Sequence, residues 1–243
     1  MSAIIVSGGC SMAHGFGLKN RNKNYAAILA EKYKTDLLDV SVSGASNENI
    51  AASTAFGINR ALSYKKYNKI VAIVGWTEMD RFEYWDKQIL RLQSLFMNRD
   101  AHIISAKDTR IKKINNFVYE NMWDPCFSYY KLIHSFNYVF NLCKAHGVQL
   151  INLKNIDIIK AKMPPGKIDN AAVRVQDYTE GVLSDEATDI FNKMYNKPSF
   201  LQFTETDTRY KIDPYRDHHP SELGHLLWAQ IIEKDNHKVF LSL

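Results

Sequence analysis

Long apolar runs are missing from this 243-residue chain, and so is any concentration of charge. No stretch approaches the roughly 18 uninterrupted apolar residues of a membrane-spanning helix, so no membrane partner is expected. The opening "MSAIIVSGG" lacks a basic segment, and its apolar run is too short for a secretion signal. Cysteine is scarce: Cys10, Cys126 and Cys143 are an odd set with no disulfide framework. Reduced thiols in a cytoplasmic setting are the expectation. The net charge of +5 is mild, and the basic residues are scattered through "KNRNK", "SYKKYNK" and "RIKK". Without a basic stripe and interleaved aromatics, no nucleic-acid partner is expected. No internal repeat and no Pro- or Ser-rich linker divides the chain. Hydrophobic residues, at 46%, are plentiful enough to bury a substantial core, which excludes wholesale disorder.

Short apolar segments alternate with helical patterns. "SAIIVSGG" (2–9) reads as a fully buried strand, β-branched and bounded by glycine. A helix is predicted over 24–33, a strand over 36–42, and a helix over 49–64 with Asn47 or Asn49 as N-cap. A strand follows over 69–76, then a helix over about 127–146 closed by Gly147, a strand over 148–153 and a last helix over 222–235. This order predicts an α/β chain: a three-layer α/β/α sandwich around a parallel sheet of about five strands. One domain spanning 1–243 is expected, with insertions at about 78–126 and 155–212 that act as lids or binding elaborations.

Open parallel sheets place ligands at the carboxyl ends of their strands. Three turns qualify: "GGCSMAHGFG" (8–17), "SGASNEN" (43–49) and "GWTEMDR" (75–81). The first is no phosphate loop, since no lysine follows the right glycine, and its glycines at 8, 9, 15 and 17 miss the dinucleotide spacing. A nucleophile's perch, or a plain tight bend, remains. A serine nucleophile needs a base and an orienting acid, and "DPYRDHHPSELGH" (213–225) offers Asp217 and His219 two residues apart. Cys10, beside Ser11, is an alternative nucleophile or a small buried residue; His225 packs or caps.

"GGCSMAHGFG" resembles block I of the SGNH (GDSL-like) hydrolases, where a serine follows a short first strand. "SVSGASNENI" is similar to block II, and "DHHPSELGHLLWAQII" to block V. The blocks run in the family's order along the whole chain. The resemblance implies a flavodoxin-like SGNH hydrolase fold and a serine esterase, active on a small-molecule or carbohydrate ester without cofactor or metal. It makes Ser11 the nucleophile, His219 the base, Asp217 its orienting acid and Gly44 an oxyanion donor. His218 competes for the role of base, and Asp213 for that of acid. The family spaces its pair as Asp-x-x-His; here the spacing is Asp-x-His.

Block III departs most. The family has Gly-x-Asn-Asp, and here stand Gly75, Trp76, Thr77 and Glu78. Thr77 and Asn47 are the candidates to replace the missing donor, a loss worth about 100- to 1000-fold in rate. "GWTEMDRFEYW" resembles a divergent branch of the family associated with tailed-phage genomes, in which Arg81 and Glu83 form a buried pair or bind substrate. A catalytically eroded binding module and an acyltransferase are the alternatives to an esterase. "DHH" also occurs at the two-metal site of DHH-type phosphoesterases, but that site needs upstream aspartates at strand ends, and "DLLDV" reads as lying inside a strand. The aromatic insert at 81–99 is core packing or a platform for a sugar ring or aromatic acyl group. The acidic stretch around 177–189 is a solvated helix face or lid. Oligomeric state is left open.

Overall fold

A computed structural model of the chain describes residues 2–79, 81–86, 91–96, 109–122, 124–156, 181–213 and 217–243. The first part of the chain forms β1 (Ala3–Gly9), α1 (Ser11–His14), α2 (Tyr25–Tyr33), β2 (Asp36–Asp39), α3 (Asn47–Ser63) and β3 (Lys69–Trp76). The middle forms β4 (Arg81–Asp86), β5 (Arg91–Phe96), α4 (Thr109–Asn121), α5 (Pro125–Ala145) and β6 (Gln149–Lys154). The last part forms α6 (Asp185–Tyr195), α7 (Phe200–Thr204), β7 (Lys211–Asp213), β8 (Asp217–Pro220), α8 (Glu222–Asp235) and α9 (His237–Phe240).

The main sheet is parallel, in the order β2-β1-β3-β6. Every residue of β1 is buried, and so is all of β3 after Lys69. Continuous β-branched runs of this kind belong to strands covered on both faces. α3 packs on β1, β3 and α5, while α2 packs on β1, β2 and α8. With right-handed crossovers, the step from β1 out to β2 and the step back to β3 place α2 and α3 on opposite faces. Three layers result. The described residues hold four strands of this sheet, one short of the expected number. β6 bonds directly to β3, from Val71↔Gln149 to Trp76↔Lys154. The described residues between them form the antiparallel β4–β5 hairpin and two helices.

The core joins both faces. Phe136 of α5 lies between Trp76 and Phe191, with ring centroids 6.1 and 5.1 Å away. Across the sheet, Phe200 stacks on Trp228 at 4.9 Å and meets Tyr25 at 5.8 Å. Burying each such side chain contributes about 1.5–3 kcal/mol.

Some boundaries differ from the sequence reading. β2 stops at Asp39, although the N–H groups of Val40 and Val42 still donate to Ser7 and Gly9 of β1. α3 is capped by Ser46, whose hydroxyl accepts from Asn49 N–H at 3.3 Å; Asn47 is already helical, with its side chain buried. Of the acidic stretch, Asp185 and Glu186 form the exposed first turn of α6, where negative charge suits the helix dipole, and 177–180 lies outside the described residues. Of the aromatic insert, Phe82 lies under the Lys131 ammonium at 5.6 Å, and 87–90 and 97–99 lie outside the described residues. Among the described residues no helix is long and apolar enough to cross a membrane, and no three metal-ligating side chains converge.

Candidate active site

In the order β2-β1-β3-β6 the chain reverses direction around β1. The crevice beyond the carboxyl ends of β1 and β3 is therefore the switch point where such sheets bind ligands. Ser11 follows β1 there. It opens the four-residue helix α1 and is 7% exposed. Cys10, the competing nucleophile, is the N-cap of α1 and fully buried. The turn closes on itself: His14 N–H donates to Cys10 O, and Phe16 N–H to Ser11 O, both at 3.0 Å.

The other end of the chain meets this turn. β7 and β8 form a short antiparallel hairpin in which Asp213 pairs with Asp217. Its exit is fixed by Ser221, which caps α8, donates its N–H to Tyr210 O at 2.7 Å and donates its hydroxyl to Arg209 O at 2.7 Å. β8 packs on α1. The His219 ring lies 4.9 Å from the ring of Phe16, five residues beyond Ser11. His219 is half-buried and His218 exposed, so of the two histidines His219 adjoins the serine turn. Asp217 opens β8; its side chain lies outside the described residues.

His225 sits deeper. It is fully buried, and its Nδ1 accepts the Tyr25 N–H at 3.2 Å, filling one of the unpaired donors at the start of α2. Nδ1 must therefore carry a lone pair, so the ring is neutral with its proton on Nε2. Burial, helped by nearby His219, pushes its pKa down to about 3.

The loop after β2 forms the second wall. Ala45 N–H donates to Val42 O at 3.1 Å, and Gly44 between them has φ of 83°. That is the third position of a type II turn, which a side chain would strain. Ser41 links this loop to α1, since its hydroxyl lies 3.5 Å from His14 Nδ1.

Asn47 and Thr77 are brought together, but as a structural clasp. Asn47 Oδ1 accepts the Thr77 N–H at 3.0 Å, and Nδ2 donates to the carbonyls of Thr77 (3.1 Å) and Glu78 (3.4 Å). The Thr77 hydroxyl donates to Glu78 Oε2 at 2.6 Å. The donors of both side chains thus already have acceptors within the protein. Arg81 bonds Glu78 Oε1 through Nε at 2.7 Å and Ala45 O through Nη1 at 3.3 Å. Glu83 takes a different partner: its carboxylate accepts the Ser46 N–H at 2.7 Å and Asn49 Nδ2 at 3.3 Å. The segment after β3 is thereby wrapped onto the start of α3, where a carboxylate is favoured by the helix dipole.

The sequence reading passed over Asn155. It follows β6, is fully buried, and ties three strand ends together. Its N–H donates to Trp76 O at 2.9 Å, and its Nδ2 donates to Gly75 O at 3.3 Å and lies 4.0 Å from Cys10 Sγ. Its signal in the sequence was positional: a short amide residue just past a parallel strand. Tyr25 was passed over too, and Phe16 and Glu78 were given no role although they lie inside the quoted turns.

These residues define a class of site, a buried serine at a β1–α turn with a histidine delivered by the strand before the last long helix. No family model and no curated protein matches the sequence. Among solved structures the chain is similar to the psychrotrophic esterase EstA from Pseudoalteromonas sp., at 12% identity over 99% of each chain, with a TM-score of 0.49. It is similar as well to a member of the lipolytic protein G-D-S-L family from Veillonella parvula (11% identity, 97% and 98% of the two chains, TM-score 0.44). A third is an acetyl xylan esterase, Est2A, from Butyrivibrio proteoclasticus (13% identity, 98% of this chain and 64% of that one, TM-score 0.43).

Proposed function

We propose that the protein is a serine hydrolase of ester bonds, with Ser11 as nucleophile and His219 as general base. The observation that carries this reading is the packing of β8 on α1, which sets His219 against Phe16 beside the Ser11 turn at the sheet's switch point. His219 takes the Ser11 proton as Ser11 attacks the ester carbonyl, then returns it to the departing alcohol. Asp217 orients the imidazole. The backbone N–H groups of Ser11 and the Gly44 turn face the developing oxyanion, while the Asn47–Thr77 clasp holds the two strand-end loops in register. Water, activated by the same histidine, then releases the acid; an alcohol in its place would make the reaction an acyl transfer. The substrate is a small-molecule or carbohydrate ester.

The test is hydrolysis of p-nitrophenyl acetate and butyrate by the protein beside Ser11→Ala and His219→Ala. Both substitutions should bring the rate to background, and the parent should be labelled by a fluorophosphonate at Ser11. A second reading, an SGNH-like binding module without turnover, is favoured by one observation: the Thr77 and Asn47 donors already have acceptors within the protein. Equal background rates in all three proteins and no labelling would select it.

A further inference from the structure

The turn after β1 carries an aromatic residue, Phe16, that is 47% exposed. A single exposed ring needs no explanation by itself. Phe16 differs in being fixed to both of the groups that the hydrolase reading employs. Its N–H donates to the carbonyl of Ser11 at 3.0 Å. Its ring packs on the His219 imidazole, tilted at 48° with the centroids 4.9 Å apart. Gly15, just before it, caps α1 at a φ of 68° and also donates its N–H to Ser11 O. A Cβ at Gly15 would be strained at that φ and would lie 2.9 Å from Leu18 Cδ1. The Leu18 N–H in turn donates to Gly15 O at 3.2 Å. A hydrogen-bonded loop therefore holds the ring in place beside the histidine. The other exposed large aromatic residues among the described ones, Phe56, Tyr64, Phe117, Phe127 and Tyr138, belong to α3, α4 and α5 or their ends.

We propose that Phe16 is a specificity-determining residue that selects esters whose alcohol part carries an aromatic ring. The assignment rests on the hydrolase reading of Ser11 and His219. A histidine that returns its proton to the departing alcohol must lie within about 3 Å of that oxygen. The alcohol part is thus next to the imidazole, and the ring packed on that imidazole borders it. Aromatic rings meet offset or edge-on at about 4.5–7 Å, which gives roughly a two- to tenfold preference over an aliphatic group.

Phenyl acetate and hexafluoroisopropyl acetate share an acyl group and release alcohols of similar acidity, but only the first carries a ring. The ratio of their kcat/KM values is the readout, in the parent, Phe16→Ala, Phe16→Leu and Phe16→Trp. Phe16→Ala and Phe16→Leu should each lower the ratio roughly two- to tenfold, and Phe16→Trp should restore it. A ratio unchanged across the series overturns the proposal. Equal losses on both esters do the same, since Phe16 would then only prop His219. Binding is read separately in Ser11→Ala, where phenyl acetate should shift the His219 imidazole resonances, assigned through His219→Ala. Adding Phe16→Leu should abolish the shift. An active parent whose Ser11→Ala form shows no Phe16-dependent shift overturns this proposal alone. An inactive, unlabelled parent that shows the shift overturns the hydrolase reading and keeps Phe16 as the contact for an aromatic ring.

Discussion

The Asn155 side chain fills the space that any side chain at Gly75 would need: a Cβ at Gly75 would lie 2.1 Å from Asn155 Nδ2. Gly75→Ala should therefore cost about 1–3 kcal/mol through overpacking. Asn155→Ala removes the obstacle along with its own bonds to Gly75 O and the Cys10 neighbourhood. The double variant should be more stable than the sum of the two single effects predicts, because neighbours that compete for one space couple. Thermal unfolding of the four proteins decides it, and strict additivity would count against the clash.

His225 makes stability depend on pH. Its pKa is about 3 when folded, against about 6.5 when free. Between those values the unfolded chain holds a proton that the native one does not. The contribution is complete above about pH 6.5 and falls away as the pH drops toward 3, at a slope of up to about 1.4 kcal/mol per pH unit. His225→Asn, which keeps an acceptor for Tyr25 N–H, should flatten the melting-temperature profile across this window. An unchanged profile would assign the acid sensitivity to other groups.

Asn47→Asp should destabilise the chain. The carboxylate keeps an acceptor for Thr77 N–H but loses the donor to two carbonyls and sets negative charge against them. A loss of about 1–3 kcal/mol is expected, or about 2–4 °C in Tm per kcal/mol for a chain of this size. A melting temperature equal to the parent's would show that the clasp carries no weight.

Glu83→Ala should loosen the start of α3 by removing the acceptor for Ser46 N–H and Asn49 Nδ2. Caps of this sort contribute about 0.5–2 kcal/mol. Glu83→Gln keeps an acceptor and loses the charge, so it should fall between parent and alanine. Hydrogen exchange at the first turn of α3 is the direct readout, and protection unaffected by either change would contradict the assignment.

The parallel strands were legible because burial on both faces leaves an unbroken apolar run, as in "AIIV" and "IVAIV". α8 was legible as a last helix over 222–235, the span it takes in the structure. The β4–β5 hairpin was not: "RFEYWDKQILRLQSLF" mixes charge and aromatics without a clean alternation, and its place is set by Glu83 and Arg81 bonding to the start of α3. α1 is too short to show a period. In the site, Ser11 and His219 could be picked out from chain order and motif. That Arg81 would bond Glu78, and that the Asn47 amide would bond Thr77, depends on loops meeting across thirty residues, which no local pattern encodes.

The chain's arrangement also divides its work. Ser11, the Gly44 turn and the Asn47–Thr77 clasp come from the first eighty residues, and β8 with its histidine from the last thirty. The described residues of the long middle contribute the edge strand β6, the β4–β5 hairpin and flanking helices. Apart from Arg81, Glu83 and Asn155, which brace the strand ends and the start of α3, changes there should leave the turns that carry Ser11 and His219 in place. The middle is therefore the stretch in which to graft a new specificity, and the two ends are the stretches to leave alone.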